Sequence, residues 1–242
     1  MGNSKLKLHK FRDKLILNQW MLTLFDIDPL SDDKKRPFHN LADILKYPRL
    51  EGLDTDNIHK FYHELVNSNM FFNETMPLTR EQLLVYEENI GKHTKAINEK
   101  RDRKVVWKYY QWLSLLFVEL YLDRYFENKE ALLASLNEYV DKFNRKWSEF
   151  SDIPYFSEDD LNKLSLQNAT GSGKTLLMHI NLLQYQDYAK KYGKERDLSR
   201  ALLITPNERL SEQHVAEFKE SSIDASHFSK EGHGLFTLAR GT

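Results

Sequence analysis

The spacing of hydrophobic residues predicts helices over most of the first part of the chain. Between residues 132 and 147, apolar side chains recur at intervals of three and four, which places them on one face of a helix. Residues 105–126 are apolar almost all the way round, as is typical of a helix buried at the centre of a bundle. Thr79 and Gln82 have the spacing of a capping box, which predicts that another helix begins there. We therefore predict a helical domain over residues 1–155.

The aromatic residues between Trp107 and Phe126 allow two interpretations. They could form a platform on which nucleic-acid bases stack, or they could pack in a protein core. Core packing is favoured, because these residues run around a helix and do not line an exposed strand. Only a narrow polar stripe interrupts the apolar surface of this helix, and its members are Lys108, Gln111, Glu119 and Asp123.

In the second part of the chain, short apolar runs alternate with helical patterns. Residues 161–167 and 201–206 have the length of strands, and the second run has the profile of a buried parallel strand. Helices are predicted over residues 175–192 and 208–221. Parallel strands joined by helices form an open α/β sheet. The fold class predicted for residues 156–242 is therefore α/β, with part of its sheet present.

Composition and charge narrow the functional classes. The 242 residues are 40% hydrophobic and 29% charged, as in ordinary globular proteins. A formal net charge of −1 gives no overall basic field for nucleic acid, so any such contact has to come from a local surface. No apolar run approaches the roughly 18 residues that a membrane helix needs, and no membrane partner is expected. The sequence has no cysteine, which excludes disulfides and thiolate sites and is consistent with a cytoplasmic protein.

Residues 166–181, LQNATGSGKTLLMHIN, have the pattern of a phosphate-binding loop that opens a helix. Backbone N–H groups at a helix N-terminus bind phosphate oxygens, and glycine permits the close approach that this requires. Lys174 is expected to reach the β- and γ-phosphates of ATP, and the Thr175 hydroxyl to bind Mg²⁺. The alternative is a glycine turn that merely begins a helix. The predicted cofactor-binding residues are Thr170, Gly171, Ser172, Gly173, Lys174 and Thr175.

One departure from the general loop pattern points to a family. Asn168 stands where that pattern has its first glycine. The form NATGSGKT resembles motif I of superfamily 2 helicases and translocases, written A-x-x-G-x-G-K-T. The shorter ATGSGKT is most similar to the motor subunits of restriction-type enzymes and to related DEAD/DEAH-box proteins of bacterial defence. This resemblance implies a RecA-like P-loop domain that uses ATP and Mg²⁺.

The segment ALLITPNERLSEQHVAEF, residues 201–218, is similar to motif Ia of the same family. In that family the segment lies along the sugar-phosphate backbone of the bound strand. The resemblance therefore implies that Thr205 and Pro206 contact nucleic acid, with DNA as the expected partner. The alternative for these two residues is a strand exit that is capped by Thr-Pro.

Other motifs of such a motor do not occur in this sequence. A working ATPase of this kind needs an acidic strand end that binds Mg²⁺ and arginines from a second domain. The sequence contains no Asp-Glu pair, and residues 232–242 are only a candidate for a third strand. We therefore expect the N-terminal portion of an ATP-dependent DNA helicase or translocase, with motifs I and Ia only and no catalytic residue in this chain. The alternative is a non-catalytic module whose helical domain binds a protein partner and whose loop binds nucleotide weakly.

Overall fold

The computed structural model describes residues 14–31, 37–68, 77–148, 152–197 and 200–227. Short 3₁₀ helices lie at Pro48–Leu50, Glu158–Asn162 and Glu195–Asp197. Within the described ranges, none of the helices has the length and apolar character that crossing a membrane requires. The α-helices of this part of the chain are α1 (Ile16–Thr23), α2 (Pro37–Leu45), α3 (Lys60–Val66), α4 (Arg80–Asn98), α5 (Tyr109–Glu127), α6 (Lys129–Lys146), α7 (Lys174–Lys191) and α8 (Glu208–Glu220).

Helix α5 lies at the centre of the core, as its all-round apolar sequence predicts. It packs against α2, α4, α6 and α7, and Trp112, Leu115 and Leu120 are fully buried. Trp107, just before the helix, is also fully buried. The interpretation of this aromatic segment as core is therefore confirmed.

Local capping interactions fix where the predicted helices begin. Thr79 accepts a hydrogen bond from the Gln82 backbone N–H at 3.1 Å, and the Gln82 side chain accepts one from the Thr79 N–H at 3.0 Å. The Asn128 side chain caps α6 in the same way by accepting from the Ala131 N–H at 2.9 Å. Helix α4 begins where the capping box predicts, because a cap needs only residues three positions apart.

The two predicted strands are not found, and this corrects the predicted α/β sheet for the described residues. No β-strand occurs among them, and the segments 163–169 and 201–205 have no regular secondary structure. A strand exists only where its backbone pairs with a neighbour, and neither segment is part of a ladder here. Leu202 and Ile204 are 65% and 84% exposed, so 201–206 is not the buried strand that its composition predicts. Residues 232–242 lie outside the described ranges.

Helix α7 packs against other helices, whereas the sequence placed it on a sheet. Leu177, Ile180 and Tyr188 are buried in the same core as α5, and α7 contacts both α4 and α5. Apolar periodicity identifies the buried face of a helix but does not say what covers it. One continuous core therefore contains residues from both sides of position 155. The predicted domain boundary at that position stays a prediction.

Candidate functional site

The loop before α7 has the backbone conformation that its glycines permit. Gly171 has a φ of +77°, and Gly173, the N-cap of α7, has a φ of +80°. Residues with a Cβ rarely adopt this left-handed region, so two such positions within three residues call for glycine. Between them, the Ser172 N–H donates to the Ala169 carbonyl at 3.2 Å and closes the turn.

The first turn of α7 presents backbone donors at the end of this loop. The Leu177 N–H makes the first helical hydrogen bond, to the Gly173 carbonyl at 3.1 Å. The preceding N–H groups, those of Lys174, Thr175 and Leu176, have no carbonyl acceptor within the described ranges. The helix dipole places partial positive charge at the same end. This combination favours an anion, and a phosphate group above all.

Lys174 adds a cation beside these donors. Its side chain is exposed and folds back over the loop, where Nζ donates to the carbonyls of Asn168 at 3.2 Å and Ala169 at 3.0 Å. No carboxylate among the described residues forms an ion pair with it. The half-buried Thr175 hydroxyl likewise forms no hydrogen bond with a described residue. Both groups are therefore available to a ligand, and the residues present fit a bound polyphosphate.

Ser172 lies against the helical part of the chain. Only 7% of it is exposed, and its hydroxyl is buried without a hydrogen-bond partner in the described structure. Its carbonyl accepts a hydrogen bond from the Gln111 side chain of α5 at 2.8 Å. The sequence placed Gln111 on a polar stripe, but it gave no sign that this stripe faces the loop. The contact joins residues 61 positions apart.

The predicted nucleic-acid contacts lie at the start of α8. Asn207 caps this helix by accepting from the Leu210 N–H at 3.0 Å. The Thr205 hydroxyl donates to the Asn207 carbonyl at 3.0 Å and is also bonded to the Ser211 hydroxyl. Pro206 is exposed. Thr205 thus takes part in the helix cap, and a contact of either residue with nucleic acid stays a prediction.

A buried histidine links α7 to the end of α8. His179 Nδ1 lies 2.7 Å from the Ser221 hydroxyl, and its ring stacks on Phe218 with a centroid distance of 4.2 Å. Arg101 donates to the same hydroxyl at 2.7 Å. Burial lowers the pKa of His179 to about 4, and the nearby charges of Arg101 and His214 act in the same direction. The ring is therefore neutral at physiological pH.

Comparison with known proteins supports a helicase superfamily. A family model described as DEAD/DEAH box helicase matches residues 153–233, about a third of the chain. The matched range includes the glycine loop, α7 and α8. No curated protein and no solved structure matches the chain. The match thus falls on the segment whose geometry favours phosphate.

Proposed function

We propose that this chain provides the ATP phosphate-binding loop of a DNA helicase or translocase. The observation that supports this most strongly is the first turn of α7. Three backbone N–H groups without carbonyl acceptors follow two left-handed glycines there, beside a lysine that has no carboxylate partner in the described part of the chain. This arrangement lies within the range that the DEAD/DEAH box helicase model matches.

Each residue of the loop has a defined part in this proposal. The N–H groups at residues 173–176 bind phosphate oxygens, and Lys174 exchanges its two loop carbonyls for the β- and γ-phosphates. Thr175 supplies a hydroxyl ligand to Mg²⁺. Bound Mg²⁺ neutralises charge on the phosphates. No group that could activate water is assigned in this chain, so we expect it to bind ATP and to hydrolyse it slowly.

The restriction or phage-defence type is the finer part of the proposal. It rests on the ATGSGKT form of the loop at residues 169–175, which follows Asn168 where the general pattern has its first glycine. A RecA-like arrangement of residues 156–242 is proposed on the same resemblance alone, since no strand of its sheet occurs among the described residues. DNA is proposed to contact the start of α8, at Thr205 and Pro206.

Nucleotide binding tests the proposal directly. We would titrate a fluorescent ATP analogue with Mg²⁺ into the wild type, Lys174→Ala and Lys163→Ala. Lys163 is an exposed lysine outside the loop, so its removal changes the net charge equally. Lys174→Ala is expected to weaken binding about 10- to 100-fold, since a charged hydrogen bond is worth about 1.5–3 kcal/mol. Equal affinity of all three proteins would overturn the proposal.

A second function is favoured by the bonds of Lys174 to the loop's own carbonyls at Asn168 and Ala169, which hold the loop together without a ligand. On this proposal the helical part binds a protein partner, and the loop serves mainly to start α7. Wild-type protein that is folded but does not bind the analogue would support this second function.

A further inference from the structure

We infer that Gln111 of α5 is a positioning residue for the phosphate-binding loop, so that the helical part of the chain sets the affinity of the loop for polyphosphate. This inference rests on the proposed function, because it concerns the same loop. It assigns to the helical part a direct role in nucleotide binding that the loop motif alone does not imply.

The Gln111 amide is held at both ends. Its Nε2 donates to the Ser172 carbonyl at 2.8 Å, and its Oε1 accepts from the Lys108 backbone N–H at 2.8 Å. Only 9% of the residue is exposed. Rotating the amide would place oxygen against the Ser172 carbonyl and nitrogen against the Lys108 N–H, and both bonds would be lost. The orientation of this side chain is therefore determined by its neighbours.

The start of α5 is also fixed to the rest of the helical part. The Lys108 side chain forms an ion pair with Glu51 at 2.7 Å, and Trp112, next to Gln111, is fully buried. The amide therefore projects from an anchored helix end. A side chain held in this way can restrain a loop that packs against it.

The space beside Gly173 is filled by the same amide. A Cβ at Gly173 would lie 2.5 Å from Gln111 Nε2, well inside van der Waals contact. At Gly171, by contrast, no heavy atom lies within 4 Å of the corresponding position. Gln111 thus touches the loop where α7 begins, and the glycine at 173 serves this approach as well as its backbone conformation.

The hydrogen bond determines which way one peptide group of the loop faces. The peptide unit between Ser172 and Gly173 is planar and trans, so its N–H points opposite to its carbonyl. Because Gln111 holds the carbonyl toward α5, the Gly173 N–H is directed away from α5. Turning this peptide over would break the bond to Gln111 and place the Gly173 N–H against the buried Gln111 amide N–H, which would then have no acceptor. Gln111 therefore stabilises the orientation in which the Gly173 N–H can serve an anion.

Two substitutions at Gln111 and one matched control test this inference. Gln111→Met keeps the length of the side chain and removes its hydrogen bonds. Gln111→Glu places a carboxylate against the Ser172 carbonyl. The control is Gln184→Met, which also replaces a buried glutamine by methionine at the α5–α7 interface. The Gln184 side chain donates to the Leu115 carbonyl at 3.1 Å. Gln184 lies ten residues beyond Lys174, about 15 Å along α7.

The readout is competition of magnesium tripolyphosphate against the fluorescent ATP analogue, which reports on the phosphate loop without adenine. We expect Gln111→Met to weaken tripolyphosphate binding about three- to tenfold. We expect Gln184→Met to lower the unfolding temperature without changing this affinity. Binding is measured at a temperature where circular dichroism shows each variant to be folded.

The pH profile of Gln111→Glu separates positioning from packing. At pH 8 the introduced carboxylate repels the Ser172 carbonyl and phosphate, so we expect weaker binding than in Gln111→Met. Burial beside a carbonyl raises the pKa of the introduced carboxyl, so at pH 6 its protonated form can donate to that carbonyl. The ratio of variant to wild-type affinity is therefore expected to rise as pH falls from 8 to 6, with no such rise for Gln111→Met.

The results distinguish the inference from the function on which it rests. Unchanged tripolyphosphate affinity in folded Gln111→Met would overturn the role of Gln111, even where Lys174→Ala abolishes binding. Wild-type protein that does not bind, or a Lys174→Ala variant that binds normally, would instead refute the proposed function. If Gln111→Glu does not fold, the comparison of Gln111→Met with Gln184→Met decides the matter.

Discussion

The Tyr188 hydroxyl on α7 donates a hydrogen bond to the Glu119 carboxylate on α5 at 2.7 Å. The Asn89 side chain on α4 donates to the same oxygen at 3.0 Å, whereas the other oxygen is buried without a partner in the described structure. Burial raises the pKa of Glu119 to about 7, although these hydrogen bonds favour the ionised form. A carboxyl group at the junction of three helices is therefore partly protonated at neutral pH.

Glu119→Gln is expected to stabilise the protein above pH 7. Because the folded-state pKa lies above the unfolded value of about 4.5, the folded state holds its proton more tightly, and stability falls as pH rises from about 4.5 to about 7. Glutamine cannot ionise, so it does not lose stability over this window. The unfolding free energy of Glu119→Gln relative to the wild type therefore increases with pH, by at most about 3 kcal/mol at pH 8. Urea unfolding between pH 5 and pH 8 measures the gain. Glu138→Gln, at an exposed ion pair, should change the unfolding free energy by less than about 1 kcal/mol.

His179→Asn is expected to flatten the acid side of the stability profile. The folded-state pKa of His179, about 4, lies below its ordinary value of 6.5, so the unfolded state binds a proton first as the solution is acidified. Stability is therefore lost as pH falls from about 6.5 toward 4, by up to about 3 kcal/mol. The quantity to compare is the slope of unfolding free energy against pH, since the absolute value also reflects lost packing on Phe218. An unchanged slope would show that His179 titrates normally.

Alanine at the two loop glycines should have unequal effects. Both positions are left-handed, so each substitution incurs backbone strain of about 1–2 kcal/mol. Only at Gly173 does the added Cβ also displace the Gln111 amide. We expect Gly173→Ala to lower the unfolding free energy by about 1 kcal/mol more than Gly171→Ala. In a Gln111→Ala background this excess should disappear, and a double-mutant cycle measures the coupling.

DNA binding by this chain should be weak and sensitive to salt. A formal net charge of −1 provides no overall basic field, and the proposed contacts lie at one helix start. If lysine or arginine side chains neutralise two or three phosphates, the dissociation constant for single-stranded DNA should rise about tenfold between 50 and 200 mM salt. Fluorescence anisotropy with a labelled oligonucleotide measures this. Tight binding that salt does not weaken would contradict it.

The helices were predictable because their signals are local. The cap at Thr79 and the apolar face of α6 both depend on residues a few positions apart. Gly193 has a φ of +68°, and the Lys194 N–H bonds back to the Ala189 carbonyl at 2.7 Å, as a glycine after a helix end predicts. Geometry of this kind depends only on residues that are close in the sequence, so the sequence predicts it.

The partners of the predicted elements were not predictable in the same way. Residues 201–206 have a strand composition, but a strand also needs a neighbour, and composition does not supply one. Helix α7 itself was predicted, yet its contact with α4 and α5 depends on residues some 70 positions away, as in the bond from Tyr188 to Glu119. Gln111 was visible as a polar residue on an apolar helix, and only the packing of α7 shows that it meets the loop.

The burial of α7 has a practical consequence for dissecting this protein. Leu177, Ile180 and Tyr188 are covered by α4 and α5, both of which precede the matched range 153–233. A fragment that begins at residue 153 would present this apolar face to water, and such a patch promotes aggregation. The ends of the matched range are therefore unsuitable as the ends of an expressed fragment. We expect soluble expression of the loop to require α4 and α5 on the same polypeptide, or added back as a separate chain.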